Sequence, residues 1–259
     1  MLQHELDSRG VATLCLDRPQ LHNAFDDTLI AELNRVLTDY AANPAVRVLV
    51  LRSNGKSFSA GADLNWMKRV AQYNFDDNLR DSQGLAELME RIYRFPAPTV
   101  AVVQGPAFGG GVGLVSCCDI AIASTSASFC LSEVKLGLAP AVISPYVIAA
   151  MGARQAQRYF LTAERFNADT ACQTGLVQQV VAPEVLDDEA DKLVNALLAN
   201  GPVALAACKK LIHRVAEAST PEIRDYTTNL IATLRAGPEG QEGLKAFLDK
   251  RPANWIPTP

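Results

Sequence analysis

One segment constrains the fold more than any other. Thr99 to Gln104 (TVAVVQ) is an apolar run of β-branched and small residues, and it leads straight into the glycine-rich stretch Gly105 to Ala123 (GPAFGGGVGLVSCCDIAIA). Such a run is short for a helix and lacks polar alternation, so it reads as a strand buried on both faces. Gly109 to Cys117 then reads as a helix of small residues, and Asp119 to Ala123 as another strand. A strand buried on both faces needs cover on each side of its sheet, which points to an α/β architecture.

The first half of the chain repeats this alternation. A Ser8-Arg9-Gly10 turn separates two short strands, the second being Val11 to Leu16. A helix opening at Asp26 or Asp27 aligns Leu29, Ile30, Leu33, Val36, Leu37 and Tyr40, and Asn43-Pro44 ends it. Arg47 to Leu51 is a buried strand, followed by a polar loop from Ser53 to Asp63. A further helix carries Leu85, Leu88, Met89, Ile92 and Tyr93. Beyond about residue 140 helical patterns dominate: Ala153 to Leu161, Asp188 to Leu198, Val203 to Ala216, Pro221 to Leu234 and Gly240 to Leu248. Gly201-Pro202, Thr220-Pro221 and Gly237-Pro238 separate them. The expected division is an α/β core over residues 1–195 and a helical C-terminal region over 196–259.

Composition removes several classes of function. Of 259 residues, 49% are hydrophobic and 20% charged, which excludes a disordered chain. A net charge of −4 is not that of a general nucleic-acid binder. The longest apolar stretch, Leu138 to Ala153, is interrupted by Pro140, Ser144 and Pro145 and is short for a membrane span. The N-terminus has no basic segment followed by an apolar run. Cys15, Cys117, Cys118, Cys130, Cys172 and Cys208 lack CxxC spacing, so all six are expected to be reduced core residues of a cytoplasmic protein. His4, His22 and His213 are not placed to complete a metal site, so no metal is expected.

Three segments could carry chemistry. SFSAGADL (Ser57 to Leu64) follows a buried strand, and its small residues allow a ligand close to the backbone; it also fits an ordinary strand-to-helix turn. GPAFGGGVGL offers a second such loop, and its spacing is neither GxxxxGK[ST] nor GxGxxG. Two loops of this kind suggest paired N–H donors aimed at one oxygen. In FCLSEVKLGLAP (Phe129 to Pro140), Glu133 sits among apolar residues, where a carboxylate can have a raised pKa and exchange protons; it also fits a helix N-terminal acid after Ser132.

These segments carry a family resemblance. In order, Arg18-Pro19, Asn23-Ala24, SFSAGADL, GPAFGGGVGL with CDIAIA, FCLSEVKLGLAP and GLKAFLDKR resemble the enoyl-CoA hydratase/isomerase (crotonase) superfamily over nearly the whole chain. The resemblance implies a crotonase-like spiral of ββα units with a helical C-terminal trimerisation region, assembled as a homotrimer or a dimer of trimers. It implies an acyl-CoA thioester substrate, with CoA as part of the substrate and no separate cofactor. The N–H groups of Ala62 and Gly110 would form an oxyanion hole, and Glu133 would be the catalytic acid/base. Backbone around Ala60, Asp63 and Leu64 would meet CoA, together with Phe247 and Lys250, often from a neighbouring subunit.

Two departures narrow the resemblance. Hydratases of this family typically carry a second glutamate two residues after the triple glycine, where this chain has Gly113. A water or a substrate carboxylate is expected to fill the space. The segment LAPAVISPYV (Leu138 to Val147) also differs from the usual PGxGGTQRL-like stretch. With GADLNWM and GQEGLKAFLDKR it looks like bacterial 3-methylglutaconyl-CoA hydratases, and is similar to hydratases of isoprenoid-substituted glutaconyl-CoAs. Lys68, Arg69 and Lys135 are either partners for a distal carboxylate or solvated charges. Trp66 and Met67 either line the acyl channel or pack in the core, and Asp119 reads as structural. A Δ3,Δ2-enoyl-CoA isomerase, which commonly relies on a glutamate at the Glu133 position, is the nearest alternative. A CoA-thioester hydrolase or lyase is a second, and a non-catalytic acyl-CoA or RNA-binding protein a third. The helices show no basic face to favour RNA.

Overall fold

The computed structural model describes residues 1–217, 229–231, 233, 234 and 237–256. The first strands, β1 (Leu2–Leu6) and β2 (Val11–Leu16), form an antiparallel hairpin. Helix α1 (Asp27–Ala42) then crosses over to β3 (Val48–Ser53), which pairs parallel to β2. Helices α2 (Leu64–Val70) and α3 (Phe75–Tyr93) lead to β4 (Thr99–Val103), parallel to β3. A two-residue strand β5 (Ala107–Phe108) and helix α4 (Gly110–Cys117) lead to β6 (Ile120–Ser124), parallel to β4. Then come β7 (Ser128–Cys130), α5 (Ser144–Thr162), β8 (Phe166–Asn167), α6 (Ala168–Gln173) and β9 (Gln179–Val181), the last parallel to β6. The main sheet has the order β1-β2-β3-β4-β6-β9.

Alternating residues along the central strands face opposite layers. Leu49, Leu51, Ala101, Val103, Ala121 and Ala123 join the larger core with Leu33 and Leu37 of α1, Leu88 and Met89 of α3, and Leu114 of α4. Val48, Val50, Val100, Val102 and Ile122 face the other way, onto Ala190, Val194 and Leu198 of α7 (Leu186–Leu198). Both faces are covered, as the unbroken apolar run of β4 requires.

The short strands build a second ladder beside the first. Phe25 bridges Ala62, Ser59 bridges Ala107, β5 pairs with β7, and β7 pairs with β8. Successive turns of the chain thus contribute to both ladders, which repeats a ββα pattern. This second ladder brings the SFSAGADL loop against the glycine-rich turn.

The structure corrects several expectations. All six cysteines are free, but Cys172 and Cys208 are exposed rather than in the core, because they occupy outward positions on α6 and α8 (Pro202–Glu217). Helix α5 begins nine residues before the expected Ala153 and is broken at Gly152 (φ 76°), a conformation that costs glycine little. Helix α7 runs through the expected boundary at residue 195, and the chain turns at Asn200-Gly201. The Pro221 to Leu234 helix and the Thr220-Pro221 break fall largely outside the described residues. Among the described residues no helix is long and apolar enough to cross a membrane.

Candidate active site

The first loop is held by a buried clamp. Asn23 is 0% exposed and adopts a left-handed conformation (φ 53°), which asparagine tolerates better than most residues. Its Nδ2 donates to the carbonyls of Asn54 (2.7 Å) and Ser57 (2.8 Å), and its Oδ1 accepts from the Arg18 N–H (2.8 Å). The Arg18 guanidinium donates to the Ala24 carbonyl (3.1 Å) and pairs with Asp26 (2.9 Å). Ser59 Oγ donates to the Asn23 carbonyl (2.9 Å), and the Phe25 N–H donates to the Gly61 carbonyl (2.8 Å). The Arg18-Pro19 and Asn23-Ala24 marks therefore shape the loop that carries Ala62.

The second loop needs its glycines for steric reasons. A Cβ on Gly110 would run into the Phe25 ring, and one on Gly111 would lie 2.7 Å from the Ser59 carbonyl oxygen. Gly109 caps α4 with φ 51°, and its N–H donates to the Cys130 carbonyl (2.9 Å). The close approach expected from the triple glycine is thus made, in part, by the protein's own first loop. Phe108 N–H donates to the Ser59 carbonyl (2.9 Å), so the loops lie side by side. Asp63 N–H donates to the Phe25 carbonyl and Gly61 N–H to Ser59 Oγ, leaving the intervening Ala62 N–H without a protein acceptor among the described residues. The Gly110 N–H, first in α4, likewise has none. Two adjacent loops, one opening a helix, offer donors to a developing negative charge.

Glu133 stands beside these loops. Leu131 anchors the chain in the core, and Glu133 to Leu136 form a single 3-10 turn closed by Gly137 (φ 71°). Glu133 Oε1 lies 3.3 Å from where a Gly109 Cβ would be. Oε2 is buried and has no hydrogen-bond partner among the described residues. Burial raises the carboxyl pKa above its ordinary value, and a hydrogen bond from its own backbone N–H opposes that shift. Glu133 is the first residue of this turn, as expected of a helix N-terminal acid after Ser132, although the Ser132 side chain itself makes no capping bond.

Gly113 corrects the expectation that a water or substrate carboxylate fills the place of the second glutamate. A Cβ there would lie 2.9 Å from Ile143 Cβ and 3.2 Å from Met89 Cε, and would strike Ile143 Cγ2. Ile143 is 3% exposed, so protein already occupies the space. Nothing in the sequence placed Ile143 opposite Gly113, since the contact joins α4 to the start of α5.

The remaining residues separate clearly. Ala60 is exposed, with its N–H on the His22 carbonyl (2.9 Å), and Leu64 is 73% exposed. The Asp63 side chain is committed to capping α2, accepting from the N–H groups of Asn65 (2.8 Å) and Trp66 (3.1 Å). Trp66 is a core residue, and its indole N–H donates to Asp81 (3.0 Å), so it is set by packing rather than by an open channel. Arg69 pairs with Asp27, while Lys68 and Lys135 are exposed. Asp119 accepts from the Thr99 N–H (2.8 Å) and pairs with the buried Lys209 (2.8 Å), tying α8 to the sheet. Lys250 is exposed with φ 53°, and the Phe247 side chain lies outside the described residues. Among the described residues there is no group of three or more histidine, cysteine or acidic side chains able to hold a metal.

Comparison with known proteins agrees with this geometry. Residues 7–257 match the family model described as enoyl-CoA hydratase/isomerase. The structure superposes on an enoyl-CoA hydratase from Shewanella pealeana with a TM-score of 0.94 and 48% identity, covering 98% of this chain and 95% of the other. A crotonyl-CoA hydratase from Syntrophomonas wolfei is 32% identical over 248 residues, 95% of this chain and 94% of the relative. A 2,3-dehydroadipyl-CoA hydratase from Escherichia coli is 32% identical over 242 residues, 93% of each chain. With the ββα spiral, paired loops and family match in place, the chain belongs to the enoyl-CoA hydratase/isomerase (crotonase) family and is an enzyme of the enoyl-CoA hydratase type.

Proposed function

We propose that the enzyme hydrates a branched α,β-unsaturated acyl-CoA bearing a distal carboxylate, converting 3-methylglutaconyl-CoA to 3-hydroxy-3-methylglutaryl-CoA. One observation carries the hydration reading: a carboxylate with one buried, unpartnered oxygen (Glu133 Oε2) beside two loops whose Ala62 and Gly110 N–H groups have no protein acceptor among the described residues. The substrate assignment is supported by the likeness of GADLNWM, SEVKLGLAPAVISPYVI and GQEGLKAFLDKR to methylglutaconyl-CoA hydratases. It is also supported by similarity to a relative named for 2,3-dehydroadipyl-CoA, another acyl group ending in a carboxylate.

In this reading the two N–H groups hold the thioester oxygen and stabilise the enolate that forms when water adds. Ionised Glu133 takes one proton from water as the hydroxyl oxygen bonds to the β-carbon. The protonated Glu133 then gives that proton to the α-carbon, restoring the thioester carbonyl and the carboxylate. The sum is substrate plus one water. A single carboxylate can serve both transfers when the addition is syn, and its raised pKa brings it nearer the pH at which it must both accept and donate. CoA enters as part of the substrate, along the backbone from Ala60 to Leu64 and toward Phe247 and Lys250 of the C-terminal region. Lys68 and Lys135, both exposed, are the candidate partners for the distal carboxylate. The assembly proposed is a homotrimer or a dimer of trimers, which a monomer mass in solution would refute.

The test is incubation with 3-methylglutaconyl-CoA, following enoyl-thioester absorbance and product mass. Loss of absorbance with a mass gain of one water supports the reading, and an unchanged substrate overturns it. The absence of a second carboxylate at Gly113 gives a second reading, Δ3,Δ2 isomerisation, which needs one acid/base group and no water. A shifted double bond at unchanged mass would select it.

A further inference from the structure

Gly109, the non-helical cap of α4, and Gly113 are four residues apart and joined by the Gly113 N–H to Gly109 carbonyl bond (3.3 Å), so they lie about one turn apart, about 6 Å along its axis. The Glu133 carboxylate lies over the first position and Ile143 over the second. Proton-transfer group and apolar side chain therefore flank glycines one turn apart at the start of α4. An acyl chain with its reacting carbons within about 3 Å of Glu133 meets Ile143 within one further helical turn.

Ile143 is suited to act as a fixed wall. It is β-branched, which restricts its χ1 rotamers, it is buried, and it sits immediately before the helix that Ser144-Pro145 opens. Behind it, Met89 is held by a contact of its Sδ with Cys117 Sγ (3.6 Å). We propose that Ile143, backed by Met89, determines the size of the β-carbon substituent that the site accepts. By filling the place beside Gly113 it also keeps a second proton-transfer group out. The proposal rests on the enoyl-CoA hydratase reading and adds the residue that selects among its substrates.

The test compares kcat/KM for crotonyl-CoA and trans-2-hexenoyl-CoA, which differ only in their β-substituent, in wild type, Ile143→Val and Ile143→Ala. The hexenoyl-to-crotonyl ratio is expected to rise about tenfold or more in Ile143→Ala, the scale set by buried methylene groups, with Ile143→Val between. If wild type hydrates these substrates and the ratio stays constant while both rates fall together, Ile143 is merely structural and the proposal is overturned. If wild type hydrates neither these nor 3-methylglutaconyl-CoA, the hydratase reading falls and the proposal falls with it. Thermal melts provide a check independent of activity. Gly113→Ala should lower Tm, and Ile143→Ala in the same chain should recover part of the loss. Additive losses in the double variant would overturn the contact on which the proposal stands.

Discussion

The clamp at Asn23 gives the sharpest test of how this site is built. Replacing Asn23 with alanine removes three side-chain hydrogen bonds, to the Asn54 carbonyl, the Ser57 carbonyl and the Arg18 N–H. At about 1 kcal/mol net for each, the loss is about 3 kcal/mol. The Ser57 carbonyl still accepts from Ser53 Oγ and Gln104 Nε2 (3.2 Å each), so it is not left bare and the larger orphan penalty does not apply there. Alanine at φ 53° adds about 1 kcal/mol of backbone strain, which glycine avoids. Asn23→Ala should therefore cost about 4 kcal/mol and Asn23→Gly about 3 kcal/mol. Urea denaturation at fixed protein concentration measures both values. Steady-state kinetics on the folded fraction then show whether the Ala62 loop has moved, as a loss in kcat. An Asn23→Ala protein within about 0.5 kcal/mol of wild type, or one with full kcat, would refute the claim that this clamp positions the oxyanion loop.

On the proposed mechanism, in which Glu133 carries both proton transfers, Glu133→Gln should reduce kcat by about 10²–10⁴-fold. In wild type, kcat/KM should fall as pH drops through a pKa above the ordinary carboxylate range, because the proposed base is the ionised form, and the pH profile should lose that limb in Glu133→Gln. The stability effect follows the same raised pKa. The native state favours the protonated carboxyl, so its stabilising contribution is present at low pH and lost as pH rises through the folded-state pKa. The Tm of Glu133→Gln relative to wild type should accordingly increase with pH. Lys209→Met should cost about 2 kcal/mol in chemical denaturation by removing the charged partner of Asp119, while leaving kcat near wild type. Native iodoacetamide labelling should modify exposed Cys172 and spare Cys117, whose thiol pKa burial raises well above its ordinary value; mass mapping reads both sites.

Much of the fold was legible because its signals are local. The period of Leu29, Ile30, Leu33, Val36 and Leu37 marks α1, and Asp26 does cap it through the Leu29 N–H. The unbroken apolar runs at β3 and β4 show strands covered on both faces. The order of short motifs indicates the family, and of the three segments singled out, the glycine-rich turn lies against both the SFSAGADL loop and Glu133. The two-residue strands β5 and β8 left no such signal, because a pair of residues has no period and is ordered only by the ladder it joins.

The residues alone therefore determined the element types, the α/β class and the family. Those properties follow from spacing and motif order along the chain. Tertiary structure decided what occupies the space at Gly113, why Trp66 belongs to the core, and how Asn23 supports a loop over thirty residues away. Each of these depends on which distant side chain arrives at a given point. Sequence spacing carries that information only after the two ladders have brought the turns of the spiral together.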